Sequence, residues 1–323
     1  MSKIKPWIAF AAFVWASIFS LSSFAYPTKP LRLIVPFPAG GAADMMARSM
    51  ALRLSTELGQ QVIIDNRGGA AGTVAAEGAA RSPADGYTLL FGSMSTHAIA
   101  PAMYRKLRYD PLADFAPISL THISPRVLVV EANVPIKSVA DLINLARSKP
   151  GVLSYGSAGN GSAMHLSGAL FESLAKVDML HVPYKGSAPL VTDILAGRKD
   201  MSFDSYTVYE EHIKSGRVRA IAVTSKSRLT ALPNIPTIAE SGLPSYEMAN
   251  WLGLFAPAGT PQDVLTVLHT ALGKVMADPS LRTQLNGLGI EPTFGSRAAF
   301  ADLIRREIPL WAEIVKKSGA TME

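Results

Sequence analysis

Short apolar runs alternate along the chain with stretches in which apolar residues recur every three or four positions. The short runs are typical of buried strands, and the longer spacing is typical of helices with one buried face. The predicted strands cover residues 31–35, 61–65, 87–91, 127–131, 219–223 and 251–255. The predicted helix faces are Met46, Met50, Leu54 and Leu58; Val264, Leu268, Leu272 and Val275; and Phe300, Ile304, Ile308, Trp311 and Val315.

Capping signals mark the starts of the last two of these helices. Thr260 is the predicted N-cap of the first, with Pro261 at its first position and Asp263 at its third. Proline lacks the N–H that a first turn leaves unpaired, and a carboxylate suits the positive end of the helix dipole. Ser296 is the predicted N-cap of the final helix.

Strand–helix alternation predicts an α/β fold with largely parallel sheets flanked by helices. A chain of 323 residues usually divides into two domains. No Gly/Ser-rich linker is present, so the chain is expected to cross between domains through residues 124–131 and 249–256. Ligands of such sheets bind beyond the carboxyl ends of the strands, which makes the loops after strands the candidate sites.

The first 25 residues have the pattern of a secretory signal peptide. Lys3 and Lys5 precede an apolar run over residues 7–21, and Ser23-Phe24-Ala25 supplies small residues for cleavage near Ala25. The alternative is a membrane anchor, which needs about 20 apolar residues. This run is shorter, so the sequence predicts export. Cysteine is absent, which excludes a lipid-modified cysteine and disulfides.

The formal charge of +6 mildly favours anionic partners, although scattered surface lysines explain it equally well. No basic run is interleaved with aromatic residues, and no zinc-finger or helix-turn-helix spacing occurs. Nucleic acid is therefore not an expected partner.

The first predicted strand runs into PFPAGG at residues 36–41 and then into a helix that contains Asp44. Gly40 and Gly41 let the backbone approach a ligand, and free N–H groups at a helix start suit a carboxylate or phosphate. The alternative is a tight turn that needs only the backbone freedom of glycine. Asp44 would repel an anion, so its expected role is to hold the loop amides.

A second glycine-rich loop covers residues 156–162 and precedes a predicted helix over residues 163–176. Ser162 is the expected N-cap, and Ser157 and Asn160 offer side-chain donors. The loop matches neither the phosphate loop nor the dinucleotide fingerprint. Two such loops on two sheets predict a cleft that grips both ends of a dianion, and residues 92–96 form a third candidate loop.

Catalytic motifs are absent from the sequence. It has no Gly-x-Ser-x-Gly elbow and no His-Glu-x-x-His, and its six histidines lack metal-ligand spacing, so no catalytic residue, metal or cofactor is expected. His165 could contact a ligand, although burial behind the site is the commoner role for such a histidine. The rival class is a secreted hydrolase that uses Ser157 or Ser162, for which only His165 lies near in sequence.

The order of motifs resembles the substrate-binding proteins of tripartite tricarboxylate transporters, the Bug or TctC family. The resemblance runs from Tyr26 through the whole exported chain. Its motifs are PFPAGG at 36–41 with Asp44 and Arg48, LGQQVIIDNRGGAAG at 58–72, DGYTLLFG at 85–92, YDPLADFAPI at 109–118, GSAGNGSAMHL at 156–166, HVPYKG at 181–186, Phe203-Asp204, LPNIPTIAESG at 232–242 and WLGLFAPAGTP at 251–261.

The resemblance implies a type II periplasmic-binding-protein-like fold, with two α/β lobes and a central ligand cleft. Lobe 1 would comprise residues 26–125 and 250–323, and lobe 2 would comprise residues 126–249. The family grips its ligand through backbone amides, hydroxyl groups and water rather than through an arginine clamp. The ligand-binding residues carried over are Phe37, Ala39, Gly40, Gly41, Asp44, Ser93, Ser157, Ser162, His165 and Asp204.

The function implied is that of a periplasmic receptor, not an enzyme. It would capture a small carboxylate (a di- or tricarboxylate, an aromatic acid or an amino acid) and deliver it to membrane permease subunits, acting as a monomer without a cofactor. A receptor that presents its ligand to a membrane sensor kinase would have the same sequence features. Asp204 would accept a hydrogen bond from water or from the ligand, or alternatively cap the end of a strand.

Overall fold

The computed structural model describes residues 26–37, 39–40 and 42–319. The predicted signal peptide and Gly41 lie outside these residues. Within them, no helix combines the length and the apolar character needed to cross a bilayer.

The strands and helices alternate along the chain as the sequence pattern predicts. The strands are β1 Leu31–Val35, β2 Val62–Asn66, β3 Thr88–Ser93, β4 Phe115–Glu131, β5 Ser154–Ser157, β6 Leu180–Pro183, β7 Met201–Ser205, β8 Val218–Val223, β9 Ala249–Pro257 and β10 Glu291–Pro292. The α-helices are α1 Ala42–Leu58, α2 Thr73–Ala80, α3 Ala100–Met103, α4 Val139–Ser148, α5 Ala163–Ala175, α6 Ser187–Leu195, α7 Tyr206–Lys214, α8 Gln262–Ala277, α9 Pro279–Gly287 and α10 Arg297–Ser318. A 3₁₀ turn covers Ala70–Gly72, and a π-helix covers Ser95–Ile99.

The strands form two sheets that share β4. The first has the order β2-β1-β3-β9-β4, with β1 parallel to β2 and β3 and with β9 antiparallel to its neighbours. The second has the order β6-β5-β7-β4-β8, with β5 parallel to β6 and β7. Each sheet with its helices is one α/β lobe, which confirms the predicted fold class. The sheets are mixed rather than largely parallel, because β4 and β9 run antiparallel to their neighbours.

β4 carries the chain from one lobe into the other. Its residues 115–125 pair with β9, and its residues 126–131 pair with β7 and β8. The sequence indicated only residues 127–131 as a strand, because polar residues and two prolines interrupt the apolar pattern before Arg126. Pairing along β9 extends the strand over these residues despite the interruptions.

The predicted helix faces are buried. Met46, Met50 and Leu54 of α1 pack with Leu268 and Leu272 of α8 against the first sheet. The face of α10 belongs to a different core cluster, in which its Phe300, Ile304, Trp311 and Val315 lie with residues of both lobes. Complete burial of such a side chain contributes about 1.5–3 kcal/mol, so α10 also fastens the lobes to each other.

One predicted cap is wrong. The Thr260 hydroxyl donates to the Pro257 carbonyl at 2.8 Å instead of accepting from the helix, and Pro261 is the N-cap of α8. The Thr260 hydroxyl is hydrogen-bonded within the turn that precedes the helix, so it does not accept from an amide of the first helical turn. Ser296 does cap α10, because its hydroxyl accepts from the Ala299 amide at 3.1 Å.

Candidate ligand-binding cleft

The candidate cleft lies where the two lobes meet along β4 and β9. β7 is antiparallel to β4 with Ser205 opposite Arg126, so β7 ends at this junction. In the other lobe, β3 ends at Ser93, which pairs with Leu252 near the start of β9. β1 is parallel to β3 and β5 is parallel to β7, so all four strands direct their carboxyl ends toward the junction. The loops singled out in the sequence therefore meet there, as in other open α/β sheets.

Asp44, in the first turn of α1, holds the first loop together. Its buried carboxylate accepts hydrogen bonds from the Gly40 amide at 2.8 Å and from Arg48 Nε and Asn66 Nδ2, each at 2.9 Å. Asn66 Nδ2 also donates to the Phe37 carbonyl at 3.1 Å. The bond from Arg48, followed by that from Gly40, lowers the pKa of Asp44 to about 2. Asp44 positions the loop, which is the role expected for it.

The expectation of unpaired glycine amides is wrong for Gly40. Its N–H donates to Asp44, and a φ of +82°, which glycine adopts readily, gives the loop the shape that makes this bond. An anion at this loop could still bind the N–H groups in the first turn of α1. The first N–H groups of a helix have no intrahelical acceptor and lie at its positive end. Contact of the ligand with Phe37, Ala39 and Gly40 stays a prediction.

The second loop is also closed by its own side chains. Ser162 caps α5 as predicted, since its hydroxyl accepts from the His165 amide at 3.2 Å. His165 Nδ1 accepts from the Gly161 amide at 3.0 Å, and Ser157 Oγ accepts from the Gly159 amide at 3.1 Å. Polar side chains a few residues away compete for loop amides, so the expectation of unpaired donors is wrong for these two glycines.

The second loop contacts the opposite lobe closely at Gly161. A Cβ built on Gly161 would lie 2.4 Å from Met103 Cε of α3, and the residue has a φ of +70°. A larger residue would therefore have to displace Met103 and adopt a strained backbone. This contact places the second loop within reach of the first lobe.

Ser157 is fully buried beside a pair of stacked histidines. Its Oγ lies 2.7 Å from Nε2 of His181 in β6. The rings of His181 and His165 are nearly parallel, with centroids 3.8 Å apart. Burial and, secondarily, His165 lower the pKa of His181 to about 4, so this ring is neutral at pH 7. The sequence analysis missed His181 as a site residue, although HVPYKG was among the motifs that it singled out.

Ser93 is buried at the end of β3 and is bonded to the turn that follows. Its amide donates to Thr96 Oγ1 at 2.9 Å, and Thr96 Oγ1 lies 3.0 Å from the Ser93 carbonyl. This pairing begins the π-helix. Ser93 thus supports the strand end, and its contact with a ligand stays a prediction.

Asp204, near the end of β7, is buried against Arg126 of β4. Arg126 Nη1 lies 3.6 Å from Asp204 Oδ1, which also accepts from the Ser205 amide at 2.7 Å. Arg126 Nε and Asp204 Oδ2 are buried and have no hydrogen-bond partner among the described residues. Sequence reasoning missed Arg126. The available signal was a cation directly before the apolar run of a central strand.

A cavity of about 510 Å³ lies between the lobes next to Arg126, within the range of about 300–1,000 Å³ typical of ligand sites. Phe37 and Met46 from the first loop and α1, Leu252 from β9 and Tyr206 from α7 line it. Of the carried-over ligand residues that the structure describes, Phe37 is the only one on this wall, and no residue of the second loop lies there. No cluster of His, Asp or Glu side chains suited to a metal ion occurs in the described range.

The family profile of the tripartite tricarboxylate transporter family receptor matches residues 46–320. The chain belongs to this receptor family. The identification from motifs is thereby confirmed, and the family is one of solute-binding receptors rather than of enzymes.

Relatives of this receptor match over nearly their whole length. The UPF0065 protein in the tcbD-tcbE intergenic region of Pseudomonas sp. (strain P51) is 41% identical over 292 residues, which are 90% of this chain and 87% of that one. R. palustris Rpa4515 with adipate is 40% identical with a TM-score of 0.75, covering 92% of this chain and 99% of that one. MatC (Rpa3494) from Rhodopseudomonas palustris with bound malate is 32% identical with a TM-score of 0.71, covering 90% and 100%.

Proposed function

We propose that this receptor captures a small carboxylate between its lobes in the periplasm and delivers it to the permease subunits of a tripartite transporter. The observation that carries the proposal is the convergence of two glycine-rich helix starts, those of α1 and α5, on one interlobe junction. Two relatives of known structure hold adipate and malate, both of which are dicarboxylates. Export by the predicted signal peptide and a monomeric state belong to the same proposal.

In this proposal the ligand-binding residues divide into two groups. Phe37, Ala39, Gly40, Gly41 and Ser162 would contact the ligand, together with the first-turn amides of α1 and α5. The buried polar residues would hold the loops in place behind it. The latter group is Asp44, Ser93, Ser157, His165 and Asp204.

Binding would close the two lobes about β4 and β9. The change of strand partners at Arg126, and the start of β9 at Ala249, support lobe boundaries at 125/126 and 249/250. Closure removes water from around the ligand and strengthens each charge-assisted hydrogen bond. The closed form is the state that the permease would recognise. A sensor kinase that reads the same closed form is the alternative partner.

The contact between Ser157 and His181 is the one observation that favours a hydrolase. No carboxylate is hydrogen-bonded to the His181 ring among the described residues, and a serine–histidine pair without an orienting group lacks the third member of a catalytic triad. Ser157 is also fully buried and bonded within its own loop. These features favour a structural role for the pair.

Titration calorimetry on the refolded, ligand-free protein tests the proposal. Adipate, malate, citrate, benzoate and glutamate are the probes, and at least one should bind with micromolar affinity, about −8 kcal/mol. Ser157→Ala should weaken that binding roughly tenfold by loosening the second loop. Ser55→Ala is the matched control, since it also removes a hydroxyl with two local bonds, one donated to the Ala51 carbonyl and one accepted from the Val62 amide, outside the cleft.

Two results would count against this function. One is the absence of binding by any of these acids. The other is hydrolysis of carboxylic esters by the unmodified protein that disappears in Ser157→Ala.

A further inference from the structure

Arg126 is the only charged side chain on the wall of the interlobe cavity among the described residues. Its side chain is 14% exposed, and its one charged neighbour there is Asp204, at 3.6 Å. This separation exceeds the 2.7–3.2 Å of a hydrogen bond. A guanidinium has five N–H donors and stays charged in proteins, and none of the five is hydrogen-bonded within the described range. Buried cations are normally hydrogen-bonded, so this one has capacity for a ligand.

Asp204 explains why the cation tolerates its position. The carboxylate is almost completely buried and offsets part of the cost of removing the guanidinium from water. Asp204 does not line the cavity, whereas Arg126 does. Asp204 therefore contacts Arg126 on the side away from the cavity. The guanidinium N–H groups on the cavity side stay available to a ligand.

The remainder of the cavity wall is mainly apolar. Phe37 and Met46 contribute from the first lobe, with Leu252 and Ile290 beside them, and Tyr206 contributes from the second. Phe37 also belongs to the first glycine-rich loop. A ligand with one acid group at that loop would thus extend along apolar side chains toward Arg126.

We propose that Arg126 determines the ligand specificity of this receptor, by binding a second carboxylate separated from the first by an apolar spacer. The preferred ligand is then a dicarboxylate with an aliphatic or aromatic body, rather than a monocarboxylate or a compact hydroxy acid. Arginine suits this task because its planar guanidinium pairs with both oxygens of a carboxylate. This receptor would then depart from the arginine-free ligand binding that the family resemblance implies. The inference rests on the proposed function, since it assumes that a first carboxylate is bound at the loop.

Calorimetry with matched ligands tests the role of Arg126. Succinate, adipate, suberate and terephthalate are each compared with their monomethyl esters, which keep the body and lose one charge. The unmodified receptor should prefer the best diacid over its monoester by roughly tenfold to a hundredfold, as expected for a charge-assisted pair. Arg126→Gln should abolish this preference and leave the affinity for the monoester within about threefold. Arg126→Lys should retain only part of it.

Two controls separate ligand recognition from folding. Arg126→Gln combined with Asp204→Asn removes both charges, so that no carboxylate is left buried without a partner, and it should show the same loss of preference. Arg219→Gln removes a half-buried arginine that donates to the Ile136 carbonyl at 2.7 Å, away from the cavity, and should keep the preference.

The outcomes distinguish this inference from the function on which it rests. Equal affinity of the unmodified receptor for diacids and monoesters, or an equal loss of both in Arg126→Gln, would overturn the role of Arg126 while leaving carboxylate capture intact. Failure of every acid and ester to bind would overturn carboxylate capture itself, and the role of Arg126 with it.

Discussion

At the residue scale, the cleft is built from buried polar side chains whose bonds go mainly to nearby backbone and side-chain donors. The Asp44 carboxylate accepts a hydrogen bond from the Gly40 amide, and His165 Nδ1 accepts one from the Gly161 amide. A buried polar group without a partner costs about 1–3 kcal/mol, so each of these bonds limits the shapes that its loop can adopt. The loops are therefore preorganised before the ligand arrives, which lowers the entropy cost of binding.

Replacing Asp44 should destabilise the protein and remove part of its acid sensitivity. Asp44→Ala leaves the Gly40 amide and Asn66 Nδ2 without this acceptor, at a cost of about 1–3 kcal/mol. The folded pKa of about 2 lies below the ordinary 3.8, so the carboxylate stabilises fully above 3.8 and loses this contribution as the pH falls through 2. Urea unfolding at pH 7 and between pH 4 and 2 measures both effects.

Asp302→Ala provides the control for Asp44. Its ion pair with Arg305 is exposed on both sides, and exposed pairs contribute about 0–1 kcal/mol. If Asp44→Ala is as stable as this control at pH 7, Asp44 does not hold the first loop.

At the element scale, α10 is joined to the interlobe strand β9 through one carboxylate. Glu307 of α10 accepts from Trp251 Nε1 at 2.7 Å and lies 3.4 Å from Trp311 Nε1. Burial raises the pKa of Glu307 to about 7, against the hydrogen bonds from the two indoles. The protonated form of this side chain therefore suits the folded protein better than the ionised form does.

Glu307→Gln should stabilise the receptor at alkaline pH. A raised pKa means that the stabilising contribution is complete below the ordinary value of 4.5 and is lost as the pH rises through 7. Glutamine keeps the acceptor for Trp251 and does not titrate, so the variant should gain about 1–3 kcal/mol over the unmodified protein at pH 8.5. Urea unfolding followed by tryptophan fluorescence checks this.

The comparison at pH 4.5 is the internal control, because both proteins then have an uncharged side chain at position 307 in the folded state. A variant that shows the same pH dependence as the unmodified protein between pH 4.5 and 8.5 would mean that Glu307 is not the group that titrates.

At the scale of the whole molecule, two extended segments connect the lobes, and the candidate site lies between the two lobes. β4 belongs to both sheets, and β9 begins at the junction and pairs, within the described residues, with β3 and with residues 115–125 of β4. Rotation of the lobes would change the backbone where β4 and β9 cross the junction and would shift the packing of α10 against lobe 2, as in hinge closure around a ligand.

Ligand binding should make the protein more compact. A globular chain of this size has a radius of gyration of about 19 Å, and small-angle scattering should report a decrease on saturation with the acid that calorimetry identifies. Sodium chloride at the same ionic strength is the control and should leave the curve unchanged. Superimposable curves for the free and the saturated receptor would exclude closure.

The sequence by itself determined the features that depend on neighbours along the chain. A period of 3.6 residues places Met46, Met50 and Leu54 on one face of a helix wherever that helix lies in the fold. A serine directly before a helix accepts a hydrogen bond from the amide three residues later in the sequence. These predictions are confirmed, and the bounds of the six predicted strands differ by one or two residues except in β4. The short strands β5, β6, β7 and β10 are not among these six. The order of motifs also sufficed to identify the family.

Only the tertiary structure decided which polar groups are paired. Arg126 and Asp204 are far apart in the sequence and meet because the register of β4 against β7 places Val127 opposite Asp204. The packing of strands and loops likewise decides which side chains accept hydrogen bonds from the loop amides. It also decides that His165 stacks on His181. Periodicity determines which side of an element is buried, but a hydrogen bond needs two atoms within about 3 Å of each other, and only the assembled fold sets that distance.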